Sequence, residues 1–195
     1  MDMSPSGLAL AWSTMMAAMM LPAALPSTVA HLRFGRRPLA SAAYLAGYLG
    51  TWAAAGLAYA AANVALMHTP LLPDGMRLAR PPVAGALLVA AGAWQWLPAK
   101  ARCVGHCRSP MGFLLAEWRD GAAGAAWMGL RYARFCAGCC WLLMALLFVV
   151  VTMSLRWATA LAAYALAERL LPVGRGFDRA VGAALAAWGL VLAFG

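Results

Sequence analysis

The sequence predicts an all-α membrane protein, a bundle of about six transmembrane helices with one short interfacial helix. Three observations carry this. First, 65% of the 195 residues are hydrophobic and only 11% are charged, against about 25% charged in an ordinary soluble domain. The mean hydropathy is +0.75, so no water-facing surface can be assembled from this composition. Second, the apolar residues gather into six segments near the length of a membrane span. Third, the basic residues lie mostly between those segments.

The segments cover about residues 7–30, 39–67, 83–99, 134–154, 155–171 and 178 to the end, with boundaries good to about two to four residues. The third is short unless its helix continues past Pro98, and the fifth is marginal in length. The first begins after Asp2, with no basic residue ahead of it. A cleavable leader needs such a basic region, so this segment is expected to be retained. With the N-terminus outside, twelve of the fifteen Lys and Arg fall in inside loops and three, Arg77, Arg80 and Arg156, outside. This bias predicts a cytoplasmic (inner) membrane protein with both termini outside.

The net charge of +9 would suggest nucleic acid in a soluble protein. Between apolar segments it reads as topology and lipid contact instead, so the bilayer is the expected partner and nucleic acid is not. In the long inside connection, Ser109-Pro110 followed by Phe113, Leu114, Leu115 and Trp118 predicts a short helix lying in the interface. Gly121, Gly124 and Gly129 then offer a small-residue face for close packing, either within the chain or in a homo-oligomer. No repeat or low-complexity linker divides the chain, so it reads as one domain over 1–195.

Three clusters of soft ligands stand out. In CVGHC, Cys103, His106 and Cys107 lie at i, i+3 and i+4, on one face if the third helix continues that far. In CAGCC, Cys136, Cys139 and Cys140 repeat the spacing, and Met144 extends the stripe. In MMAAMMLPAALP, Met15 and Met19, and Met16 and Met20, pair at i, i+4 ahead of a kink expected at Pro22. Thiolate, thioether and imidazole select copper(I), with zinc next, and the absence of carboxylates well inside a span disfavours calcium and magnesium.

The same residues admit other readings. Cysteine and methionine also serve as apolar filler, which would leave a scaffold or assembly subunit. Cys136 and Cys139 form a CxxC, which suits a membrane thiol–disulfide oxidoreductase. His31 and His68 read as interfacial, Glu168-Arg169 as an interface anchor or local ion pair, and the tryptophans as interface residues.

Four blocks, AMMLPAALP, WQWLPAKARCVGHCRSPMGFL, MGLRYARFCAGCCWLLM and ERLLPVGR, carry a resemblance over nearly the whole chain. They resemble a family of bacterial multi-pass proteins described as predicted metal-binding integral membrane proteins, a domain of unknown function. The resemblance implies a membrane metal site at Met19, Met20, Cys103, His106, Cys107, Cys136, Cys139 and Cys140. It departs at Arg131-Tyr132-Ala133, where the family commonly has Arg-His-Gly, and at Met153-Ser154, where it has Met-Asn. The combined expectation is a soft-metal transport, delivery or sensing protein rather than an enzyme, working with a metallochaperone or a membrane complex.

Overall fold

A computed structural model of the chain describes residues 4–72, 78, 80–149, 154–171 and 174–194. Asp2, Arg77 and Met153, on which parts of the sequence reading rest, lie outside the described residues. Among the described residues all regular structure is helical.

Helix α1 (Pro5–Gly35) starts where Ser4 accepts a hydrogen bond from the Gly7 amide and Pro5 supplies a preset φ. It continues through Pro22 and Pro26. Ser27 and Thr28 both turn their hydroxyls back onto the Ala24 carbonyl. Arg36, in the left-handed region at φ 51°, ends the helix and returns its amide to Leu32. The chain reverses over Arg36 and Arg37 into α2 (Pro38–Met67), which packs along α1.

Helix α3 (Pro81–Trp94) has 14 residues and does not continue to the first cysteine block. Pro98 is the reason. It cannot donate a helical hydrogen bond and it drives the residue before it out of the helical region. Leu97 is accordingly extended, and Pro98 begins a separate helix, α4 (Pro98–Arg108). A short helix forms after Ser109 where one was expected, α5 (Pro110–Glu117), although the Ser109 side chain makes no capping bond.

Helix α6 (Gly121–Ala145), prolonged by a 3-10 turn over Leu146–Phe148, starts 13 residues before the expected 134. Its two arginines do not stop it because each has a local partner. Arg131 pairs with Glu117 at 3.1 Å, and Arg134 lies over the Trp127 ring. Helix α7 (Leu155–Leu170) and helix α8 (Arg175–Phe194) complete the fold.

Among the described residues four helices, α1, α2, α6 with its 3-10 turn, and α8, are long and apolar enough to cross a membrane, fewer than the six expected. Helix α3 is cut short by Pro98, and the 16 residues of α7 rise only about 24 Å against a hydrocarbon core of about 30 Å. The outer surface suits lipid, with Leu39, Leu155 and Phe194 among the large apolar side chains turned outward.

Two helix crossings are set by glycine. On α2 and α6, Gly47 faces the Ala126 carbonyl and Gly129 faces the Tyr44 carbonyl, and a Cβ at either would overlap backbone. On α3 and α8, Gly85 meets Gly189 and Gly92 meets Gly182 in the same way. Such close approach is how helices gain van der Waals packing in lipid. The first crossing fixes α6 against α2, and α4, α3 and α7 pack against the rest of α6, while α1 packs on α2 and α7.

Candidate metal centre

Cys136, Cys139 and Cys140 share one face of α6, as their spacing predicts, and all three are fully buried (0% exposed). The early start of α6 changes their depth. Cys136 lies about 22 Å along the helix from Gly121, in its middle rather than at its mouth. Cys139 and Cys140 both donate to the Cys136 carbonyl, at 3.0 and 3.1 Å. Tyr48 of α2 places its hydroxyl 2.9 Å from the Cys136 sulfur. Met144 is buried on the same stripe.

Helix α4 brings one member of the second trio to this point. Its buried stripe is Lys100, Val104 and Cys107, at i, i+4 and i+7. The buried Cys107 thiol lies in the same core cluster as Cys136 and Cys139, near enough for them to shift its ionisation. His106, about 100° around the helix from Cys107, points elsewhere. Its Nδ1 lies 2.9 Å from the Arg102 carbonyl oxygen and its ring stacks on Phe135 at 4.4 Å. It lines a surface cavity of about 410 Å³ with Arg102, Phe113 and Glu117. Cys103 is half-buried between these positions, against Gly138 of α6.

The four methionines of α1 divide. Met16 and Met20 are fully buried. Met15 and Met19 line a groove of about 680 Å³ between α1 and α7, walled by Leu10, Leu155, Ala158 and Ala162. Met20 alone among them has a polar contact at the cysteines, through the residue that sequence reasoning assigned elsewhere.

That residue is Arg169. It does not anchor an interface. It reaches inward from α7, buried, with Nη2 at 3.1 Å from Cys139 Sγ, 3.5 Å from Cys140 Sγ and 3.4 Å from the Cys136 carbonyl oxygen. Its Nη1 lies 3.8 Å from Met20 Sδ. Nor do Glu168 and Arg169 pair with each other. Glu168 pairs with Lys100 of α4, which also donates to Gln95. Helix α7 therefore reaches α4 through one buried ion pair and α6 through the guanidinium. The signal for both was their position. A Glu-Arg dipeptide ending an apolar helix, if not at a lipid boundary, marks a polar interior site.

His31 is likewise buried rather than interfacial (2% exposed). It stacks between Tyr44 and Trp118, both at 5.1 Å, with Nδ1 at 2.9 Å from Ser41 Oγ. His68 is exposed, as expected. Tyr132, at the position where the resemblance has His, donates its hydroxyl to the Cys107 carbonyl at 2.9 Å and so ties α6 to α4.

All five cysteines are free thiols. On α4, burial raises the Cys103 thiol above its ordinary value. Cys107 is raised further, first by the neighbouring Cys136 and Cys139 thiols and then by burial. Among the described residues no three His, Cys, Asp or Glu side chains are spaced as a ready coordination set. The thiols meet each other and a guanidinium instead. As a donor set, four thiols and one thioether fit a soft ion and no hard one.

No curated protein and no solved structure matches the chain. A family model matches residues 9–192, which takes in every helix just described, and by that match the chain belongs to the PpoB2 family, described as copper chaperones.

Proposed function

We propose that the protein accepts a cuprous ion inside the membrane and passes it on, with Cys107 and Cys139 as the principal ligands. Cys136, Cys140 and Met20 stand beside them as exchange ligands. The observation that carries this is that Cys107 and the three cysteines of α6 are buried in one core cluster, with a thioether from α1 on the same guanidinium as Cys139 and Cys140. Soft sulfur donors in a dry site hold copper(I). Surplus donors let the ion change partners without passing through water.

The other candidate ligands take outer positions in this reading. His106 and Cys103 stand between the surface cavity and the buried thiols, where an arriving or departing ion would meet them. Met15 and Met19 extend the thioethers of α1 toward the groove beside α7, and Met16 is buried one turn from Met20. The distribution of basic residues supports a site reached from the cytoplasmic side of the inner membrane, and delivery to a metallochaperone or membrane complex there. Complete burial of Cys136, Cys139 and Cys140 speaks against the thiol–disulfide oxidoreductase reading, because exchange needs an accessible sulfur.

The test is copper(I) binding by the full chain in mild detergent, without oxygen, in competition with a chromogenic chelator. Wild type should bind copper(I), and Cys107→Ser and Cys139→Ser should each lose most of the affinity. Retention of wild-type affinity by both variants would reject the assignment.

A further inference from the structure

We infer that Arg169 is the counter-cation of the copper centre, a fixed positive charge that makes a cuprous ion held by two thiolates electrically neutral. The inference deepens the copper reading above and rests on it.

The geometry is unusual for an arginine. Its guanidinium is buried, yet among the described residues no carboxylate pairs with it. The adjacent carboxylate, Glu168, is held by Lys100. The polar partners of Arg169 are two cysteine sulfurs, a methionine sulfur and one carbonyl, and its Nε is buried without a partner. An unpaired charge in a low-dielectric interior is costly. A fold that keeps one among candidate ligands gains if a negative charge arrives beside it.

Copper loading supplies that charge. Two thiol protons leave to solvent, one copper(I) ion enters, and two sulfur–copper bonds replace two sulfur–hydrogen bonds with no change of oxidation state. The copper brings one positive charge and the thiolates two negative ones, so the complex alone is an anion. Arg169 brings the sum to zero. One thiolate would leave the site positive and three would leave it negative. A divalent ion with two thiolates would leave it positive as well, and would reach zero only by displacing a third thiol proton. At two thiolate sulfurs, neutrality therefore favours a monovalent ion beside the guanidinium.

Arg169 is thus a positioning and selectivity residue, separate from the ligands. The test compares copper(I), silver(I) and zinc(II) affinities of the full chain in detergent for wild type, Arg169→Lys, Arg169→Gln and Arg169→Leu. Arg169→Lys should stay within about threefold of wild type for the monovalent ions. Arg169→Gln and Arg169→Leu should weaken copper(I) and silver(I) by at least about tenfold and narrow the preference over zinc(II). A neutral variant that binds like wild type overturns the inference, as does a lysine variant that falls as far as the glutamine one.

Replacing a buried charge with an apolar residue is often tolerated, and thermal unfolding of each variant checks that it folds. If neither neutral variant folds, X-ray absorption of copper-loaded wild type decides. Two thiolate sulfurs on copper are expected, and three or four overturn the inference. Wild type that binds no copper(I) would reject the functional reading and this inference together. Unchanged affinity in the neutral variants rejects this inference alone.

Discussion

Lys100→Met should be among the most damaging single changes outside the cysteines. Lys100 and Glu168 are buried together, with side-chain exposures of 2% and 0%. They join α4 to α7, the two helices that carry Cys107 and Arg169. Removing the cation leaves a buried carboxylate without its charge partner, which costs about 3–5 kcal/mol. In a chain of this length each kcal/mol shifts the midpoint by about 2–4 °C, so thermal unfolding in detergent should move down by about 6–20 °C. Glu168→Gln should do comparable harm by stranding Lys100. The double variant Lys100→Met/Glu168→Gln should recover about half or more of the loss, because neither charge is then orphaned. The cycle is read from the three midpoints against wild type. A single variant within about 0.5 kcal/mol of wild type, or a double variant as unstable as the two losses added, would refute the reasoning.

Four further outcomes follow from the same packing. Gly129→Val should sharply lower the folded yield, since its Cβ would overlap the Tyr44 carbonyl and push α2 from α6; size-exclusion profiles in detergent would show it. Tyr48→Phe removes the contact with the Cys136 sulfur and should cost about 1 kcal/mol in thermal unfolding while leaving copper(I) stoichiometry unchanged. Alkylation followed by mass spectrometry should modify Cys103 first and reach Cys136, Cys139 and Cys140 only after denaturation. Because burial raises the Cys103 thiol, its thiolate is scarce at neutral pH, so its labelling rate should still be climbing as pH rises past 9. A rate that levels off near neutrality would contradict that environment.

Much of this was legible in the sequence, and the misses have physical causes. Membrane class followed from composition, because apolar content cannot be hidden by packing. The helical face of Cys136, Cys139 and Cys140 followed from spacing alone. Helix boundaries were harder. Arg131 and Arg134 looked like the end of a loop, yet Glu117 and Trp127 let α6 run past them, and the Glu117 partner lies on a separate helix that no period within α6 could announce. The first cysteine block shares one helix with the third segment only if that helix continues past Pro98, whereas Pro98 starts a new helix, α4, which buries Cys107 and leaves the adjacent His106 outside. Arg169 and His31 were misplaced for a common reason. Hydropathy places a polar residue near a span end at the lipid boundary, but only tertiary structure reveals whether that end turns inward.

The facing glycines of α3 and α8 divide the molecule's freedom to vary. Gly85, Gly92, Gly182 and Gly189 admit no larger residue, because backbone occupies the space where a side chain would go. Around them, Val191 and Phe194 lie open to lipid, where one bulky apolar side chain serves as well as another. The seam thus works as a spacing device that leaves most of the last helix replaceable in kind. The opposite holds along α6, where Gly129 has no room for a side chain and Tyr132, Cys136, Cys139 and Cys140 each hold a neighbouring helix. Substitution should therefore be cheap at one edge of this protein and scarce at its centre, within a chain of almost uniform apolar composition.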